Sequence, residues 1–254
     1  MTFQQETVML PLPELKVFDN PFQGKVLVES YIKRKAETTT VLQIMEAGCG
    51  RKWPLDLSGV KYILTGVDQD EEALELRKKL KKDLDEAIVG DLLTVSINQK
   101  YDIIYNAYVL EHIEEAEKAL RIFDGWLNNE GIMILFIPDP YSVRGALTRF
   151  TPHWFHVFCY KYILNIKNAG KKGYPPYITH YSPIVSRLGI RKFCAENHYK
   201  IKEEYGFSYR VYGKGFVAML IKPIAFLISL VSLGKLSYRH CNILYILEKG
   251  FGGF

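Results

Sequence analysis

Between Thr38 and Asp139 the sequence repeats one rhythm: a short run of apolar and β-branched residues, a turn, then an amphipathic helical stretch. The strand-like runs are "TTTVLQIME", "KYILTGVD", "AIVGD", "YDIIYNAYVL" and "GIMILFIPD". Between them, "DEEALELRKKLKKDLDEA" is acidic early and basic late, which complements a helix dipole, and "HIEEAEKALRIFDGWL" reads as a second helix. A helix is also expected over 25–37, a turn at Asn129–Gly131, and only a short helix between the first two strands. Strands alternating with helices imply a parallel, doubly wound α/β sheet, whose ligand crevice lies outside the carboxyl ends of the strands. Glu46, Asp68, Asp91 and the neighbourhood of Asn106 therefore converge on that crevice.

The loop after the first strand, "EAGCGRKWPLDL", sharpens the ligand. Gly48 and Gly50 let a ligand rest against bare backbone, and Asp68, 22 positions after Glu46, suits paired ribose hydroxyls. Trp53 stands where a dinucleotide fingerprint carries its third glycine, which disfavours a nicotinamide-dependent oxidoreductase.

Residues 41 to 139 resemble the class I S-adenosylmethionine-dependent methyltransferases, in the branch whose fourth-strand segment ends "VLEH". The matching pieces are "EAGCG", "GVD", Gly90 with Asp91, "YDIIYNAYVLEHI" and "GIMILFIPD", in order and over about two fifths of the chain. The resemblance implies a Rossmann-like, mostly parallel, seven-stranded sheet and S-adenosylmethionine as cofactor. It places Glu46 near the amino group of the methionine portion, Asp68 on both ribose hydroxyls and Asp91 on the adenine amino group. Cys49, Leu92 and Asn106 join the same cofactor surface. Because that loop approaches the methionine end, no pyrophosphate has to rest on the helix and Trp53 is accommodated; Lys52 departs from the family's usual glycine. Asp91 also reads as a plain turn or cap residue.

A hydroxyl acceptor needs a base, and His112, His180 and Tyr181 lead a set that includes His153 and His156. Some relatives bind a divalent metal through E-x-x-E-H, but here the earlier Glu is Tyr108. Two adjacent ligands, Glu111 and His112, do not make a metal shell, so no metal is expected. His112 also reads as an ordinary histidine at a helix start. The four cysteines are scattered and read as reduced thiols.

The chain has 254 residues of ordinary globular composition, enough for one α/β domain with an appendage. Its net charge of +5 conceals a split: residues 1–140 carry −8 and residues 141–241 carry +13. The expected organisation is a lead-in and helix over 1–40, the cofactor-binding core over 41–140, and an inserted aromatic and basic cap over 141–200. The last two strands follow over 201–254, with an apolar helical insertion at about 215–235. The cap's charge points to something anionic, with Arg144, Arg149, Lys171, Lys172, Arg187, Arg191 and Lys192 as candidates. Its aromatics equally read as loop packing. The apolar stretch 216–233, with Lys222 and Pro223 inside and Lys214, Lys235 and Arg239 around it, leaves three readings: a membrane span, a helix in the membrane interface, or a helix buried on the cap.

The expected function is methyl transfer to a hydroxyl, less readily an amine, on a hydrophobic or anionic acceptor near a membrane; lipid-linked glycans, polysaccharide precursors and quinone-like molecules all fit. An RNA methyltransferase and a non-catalytic, membrane-docked cofactor-binding scaffold are the rivals, nucleic acid being disfavoured because basic clusters alone carry no sequence readout. With no secretion signal in "MTFQQETVML", the expected location is the cytoplasm, with peripheral attachment to the inner face of the membrane. The sequence leaves the oligomeric state open.

Overall fold

The structure is a computed structural model and describes residues 12–18, 20–163, 165–171, 173–208 and 216–250. Most of the lead-in, Lys172 and Lys214 lie outside the described residues. In chain order the strands are β1 (Lys16–Val17), β2 (Leu42–Ala47), β3 (Tyr62–Asp68), β4 (Glu86–Val89), β5 (Tyr101–Ala107), β6 (Leu127–Pro138), β7 (Tyr199–Phe207) and β8 (Asn242–Lys249). The helices are α1 (Pro21–Ala36), α2 (Glu71–Glu75), α3 (Ala116–Trp126), α4 (Val143–Phe150), α5 (His153–Phe158), α6 (Arg187–Glu196) and α7 (Phe216–Val231).

One sheet runs in the order β1-β7-β8-β6-β5-β2-β3-β4. It has eight strands rather than seven, the additional one being the two-residue edge β1 on β7. Only β8 runs against its neighbours, pairing antiparallel with β6 and β7. The central strands are apolar throughout because both faces are covered. Alternation sends Ile44, Ile103 and Ile134 to the face under Val28 and Ile32 of α1. Their neighbours Met45, Ile104 and Leu135 meet Leu120 and Phe123 of α3 and Ile190 and Phe193 of α6. Helix α6, inside the stretch assigned to the cap, thus belongs to the sheet layer.

Local departures from the expected elements have visible causes. Strand β5 stops at Ala107 because Tyr108 takes φ +59°, and a single 3-10 turn, Leu110–His112, precedes α3. Helix α2 is α-helical only to Glu75, then continues to Lys81 as a widened turn that carries the fully buried Arg77. The turn at Asn129–Gly131 is an irregularity inside β6, with Glu130 at φ +58°. Between β2 and β3 no helix forms; Trp53, Leu55 and Leu57 pack the loop against the α1 face instead.

Glu204 of β7 is buried and receives Arg187 at 2.8 Å, Arg191 at 2.6 Å and the Tyr245 hydroxyl at 2.9 Å. Two of the cap's candidate cations are therefore consumed inside the fold. Burial alone would push this carboxyl up, yet the two guanidiniums hold it at about 2, below its ordinary 4.5. Stability from this group is complete above pH 4.5 and is lost as pH falls toward 2. Glu204→Gln is expected to cost on the order of 3 kcal/mol at neutral pH and to flatten the acid limb of the stability curve. Denaturant unfolding along a descending pH series checks both.

Candidate active site

The crevice is built at the carboxyl ends of β2, β3 and β5. Gly48 and Gly50 both take positive φ, +74° and +51°, as the chain turns back after β2. A Cβ on residue 48 would collide with the side chain of Val109, whereas nothing lies within 4 Å of where a Cβ on residue 50 would sit. Gly48 therefore locks the loop to the segment after β5, and Gly50 faces open space. The amides of Gly48 and Cys49 donate to the Val67 carbonyl at 2.8 and 3.1 Å, fastening the loop to β3.

Asp68, at the tip of β3, accepts from the Gly50 amide at 2.7 Å and the Asp70 amide at 2.9 Å. It is half-buried, and each carboxylate oxygen keeps a second lone pair for a ligand hydroxyl. Asp91 accepts from the Leu93 amide at 2.8 Å and from Gln69 Nε2 at 2.9 Å, so it forms the turn after β4 while standing beside the tip of β3. Leu92 and the Cys49 thiol point into the core, and burial raises that thiol to about 12. Asn106 is buried and donates to the Ala47 carbonyl at 2.9 Å, leaving its Oδ1 without a partner.

Glu46 lies behind the loop rather than in the open crevice. Its Oε2 meets Arg77 Nη1 at 2.5 Å, and the same nitrogen donates to the Cys49 carbonyl at 2.9 Å. Burial pushes the Glu46 carboxyl up and Arg77 pulls it back; the Arg77 guanidinium, which burial alone would lower, is raised by Glu46 and Asp83. No motif marks Arg77 in the sequence, where it sits in a run that reads as solvated face.

The cap closes over this crevice. Arg51 bonds Asp70 at 2.9 Å, and Gly173 sits so close to that pair that a Cβ would lie 2.9 Å from Asp70 Oδ2. Tyr177 is raised first by burial and then by the charges of Asp68 and Asp70, and its ring meets His112 edge-on at 5.4 Å between centroids. It stands between the crevice and a second space, a cavity of about 1170 Å³ walled by the segment after β5, by α4 and α5, and by residues 175–192.

His112, His180 and Tyr181 all line that cavity; His153 does not, and His156 is tied to Thr151 at 2.6 Å. The His112 Nδ1 faces the Ile178 carbonyl at 2.7 Å, which only an N–H can satisfy, leaving Nε2 with its lone pair. Burial lowers its pKa, so the ring is neutral near pH 7. Glu111, overlooked as anything but half of an incomplete metal pair, is buried in the same wall with Oε1 4.0 Å from His112 Nε2 and Oε2 without a partner. Around them, Arg144, Arg149 and Lys192 give the cavity a basic lining.

Gly48→Ala is expected to abolish stable folding of the loop or lower the melting temperature by several degrees, and Gly50→Ala to cost only about 1–2 kcal/mol for its left-handed backbone. Thermal melts of the pair check this. Burial raises Glu111 from 4.5 to about 7, so its contribution to stability is complete below pH 4.5 and is lost as pH rises through 7. Glu111→Gln is therefore expected to be nearly neutral at pH 4.5 and to stabilise by about 3 kcal/mol at pH 8. Equal shifts at both pH values would contradict an unpaired carboxyl.

Comparison with known proteins agrees with this fold. A family model described as a methyltransferase domain matches residues 45–135. No curated protein sequence matches the chain. Among solved structures, the plantazolicin methyltransferase BpumL in complex with a monoazolic substrate analogue and SAH is similar with a TM-score of 0.51 at 16% identity, over 91% of this chain and 86% of that one. The N-methyltransferase NodS from Bradyrhizobium japonicum WM9 in complex with S-adenosyl-L-homocysteine gives 0.51 at 15% identity, over 92% and 90%. Coclaurine N-methyltransferase bound to N-methylheliamine and SAH gives 0.52 at 13% identity, over 94% and 77%. Residues 45–135 thus form a methyltransferase domain, and the sheet around them has the Rossmann-like fold of these S-adenosylmethionine-dependent methyltransferases.

Proposed function

We propose that the protein transfers a methyl group from S-adenosylmethionine to a hydroxyl on a hydrophobic or anionic acceptor seated in the basic cavity, next to a membrane surface. The observation that carries the hydroxyl assignment is His112: neutral, with its Nδ1 proton committed to Ile178, it offers Nε2 as a base in the cavity wall. The crevice suits the cofactor on its own terms. Gly50 opens onto free space, Asp68 keeps lone pairs for paired hydroxyls, and Asn106 Oδ1 is a buried acceptor awaiting a donor.

When bound, S-adenosylmethionine supplies a methyl made electrophilic by its positive sulfur. The chain's work is then alignment and proton handling. Asp68 holds the ribose and Asp91 the adenine amino group, while Glu46 with Arg77 keeps the glycine loop at its height. Nε2 of His112 receives the hydroxyl proton as the oxygen takes the methyl, the bonding pair staying with sulfur. His180 and Tyr181 orient the acceptor, and Arg144, Arg149 and Lys192 attract its negative charge.

Calorimetry with S-adenosylhomocysteine is expected to give saturable heat, with Asp68→Ala weakening affinity about 10- to 100-fold. Turnover of His112→Ala is expected to fall about 100- to 10000-fold with that affinity intact. Extract incubated with a methyl-deuterated cofactor identifies the acceptor by mass spectrometry. A product labelled on nitrogen would replace the hydroxyl with an amine, and absent heat on folded protein would end the cofactor reading.

A further inference from the structure

The walls of the acceptor cavity have a second side. Helices α4 and α5 contribute Arg144, Thr148, Arg149 and His156 to the cavity, and Tyr160 just after α5 joins them. Outward, the same helices expose large apolar side chains: Phe150 at 83%, Trp154 at 69%, Phe158 at 48% and Tyr162, just after α5, at 65%. Isolated exposed hydrophobes are ordinary, but a run of this size on consecutive turns is not.

Helix α7 extends the same face. Only Ala225 and Ser229, one turn apart, are buried on it among the described side chains, a narrow stripe of small residues on the protein side. Ile224, Leu227, Leu230 and Val231 point outward, and Leu233 just beyond is 87% exposed. Helix α7 contacts α4, and the Val143 amide at the head of α4 donates to the Ser237 carbonyl at 2.8 Å, so the two lie side by side. Helix α7 thus rests on α4 of the cap through that narrow stripe and leaves most of its other described side chains outside. Among the described residues no helix is long and apolar enough to cross a membrane. The 16 residues of α7 would cover about 24 Å, short of a hydrocarbon core of about 30 Å.

Charge selects the occupant. From Tyr141 to Ala195, and again from Tyr205 to Leu247, the sequence contains no Asp or Glu at all. Arg149, Lys161, Lys222, Lys235 and Arg239 are exposed on or beside the apolar helices. Apolar and aromatic side chains bordered mainly by cations, with Glu14 against Arg239 at 4.0 Å, match the headgroup and acyl boundary of an anionic bilayer. An apolar face with so few acids nearby matches a protein partner less well, since protein surfaces mix both signs.

We infer that α4, α5 and α7 form one membrane-docking face that lies flat in an anionic leaflet, so that a lipid-anchored acceptor enters the cavity from the bilayer through the α4–α5 wall. The acceptor's route rests on the function proposed above; the docking face does not. Cosedimentation of the full chain with vesicles tests it. An equimolar phosphatidylcholine and phosphatidylglycerol mixture is expected to retain the protein at low salt, and phosphatidylcholine alone to retain roughly tenfold less. The triple variant Phe150→Ser, Trp154→Ser, Leu233→Ser, all far exposed and outside the cavity, is expected to lose roughly tenfold or more of the binding. Its thermal melt and its heat with S-adenosylhomocysteine, both expected unchanged, show that it is folded. No retention on anionic vesicles, or retention indifferent to the triple variant, overturns the docking face. Sedimentation velocity revealing a dimer that the triple variant dissociates also overturns it, because a second copy would then cover these helices. Cofactor heat without vesicle binding leaves the methyl transfer standing without its membrane setting; vesicle binding without cofactor heat leaves only the docking.

Discussion

One buried guanidinium holds the site in shape. The loop from Gly48 to Lys61 has no helix to carry it, unlike the usual passage between the first two strands of a doubly wound sheet. Arg77 reaches it from beneath, joining the Glu46 carboxylate, the Cys49 carbonyl and Asp83 through one planar, forked side chain. That reach requires the widened turn after Glu75, which rolls Arg77 inward from a stretch whose neighbours Lys78, Lys79 and Lys81 stay in solvent. A buried pair of this kind adds little net stability compared with a well-packed apolar pair, but removing one partner strands the other. Its value lies in position: Gly50 and Asp68 face each other because the loop is pinned at Cys49.

The sheet could be read from the sequence because each central strand is a short, largely apolar run bounded by turn residues. The glycine loop and the ribose acid could be read for the same local reason, since spacing along the chain is what brings Gly48, Gly50 and Asp68 together. Contacts that depend on packing between distant segments were hidden. Arg77 looks like any exposed basic residue in a lysine-rich helix, and Arg187 and Arg191 look like surface charge until β7 brings Glu204 beneath them. The edge strand β1 is too short to carry a pattern. The widening at Leu76 leaves no trace in helical periodicity because it answers to Glu46, 30 residues earlier.

His112 illustrates both sides of this boundary. Its place after the fourth-strand run is written in the sequence, but its tautomer is not. The Ile178 carbonyl that fixes the proton on Nδ1 arrives from the cap, 66 residues away, as does the Tyr177 ring beside it. The cap thus fixes the proton on His112 rather than merely covering it. The His180 amide bonds the Glu111 carbonyl at 2.7 Å, tying the cap to the same turn.

The division of charge between the two halves follows the division of labour in the proposed reaction. Asp68, Asp70 and Asp91 stand at the crevice, where the cofactor would bring a positive sulfur, and Arg144, Arg149 and Lys192 line the cavity, where the proposed acceptor would bring negative charge. Methyl transfer to a hydroxyl removes the sulfonium charge and releases a proton, so a closed, poorly hydrated site favours the forward step, provided that the proton has a neutral acceptor at hand. Burial supplies such a group in neutral His112. The same burial keeps Glu111 from ionising fully, so that the wall next to the reacting atoms does not compete for the positive sulfur. Two groups moved in opposite senses on the charge scale by one cause, exclusion of water under the cap, leave the centre nearly uncharged at the point where charge must disappear.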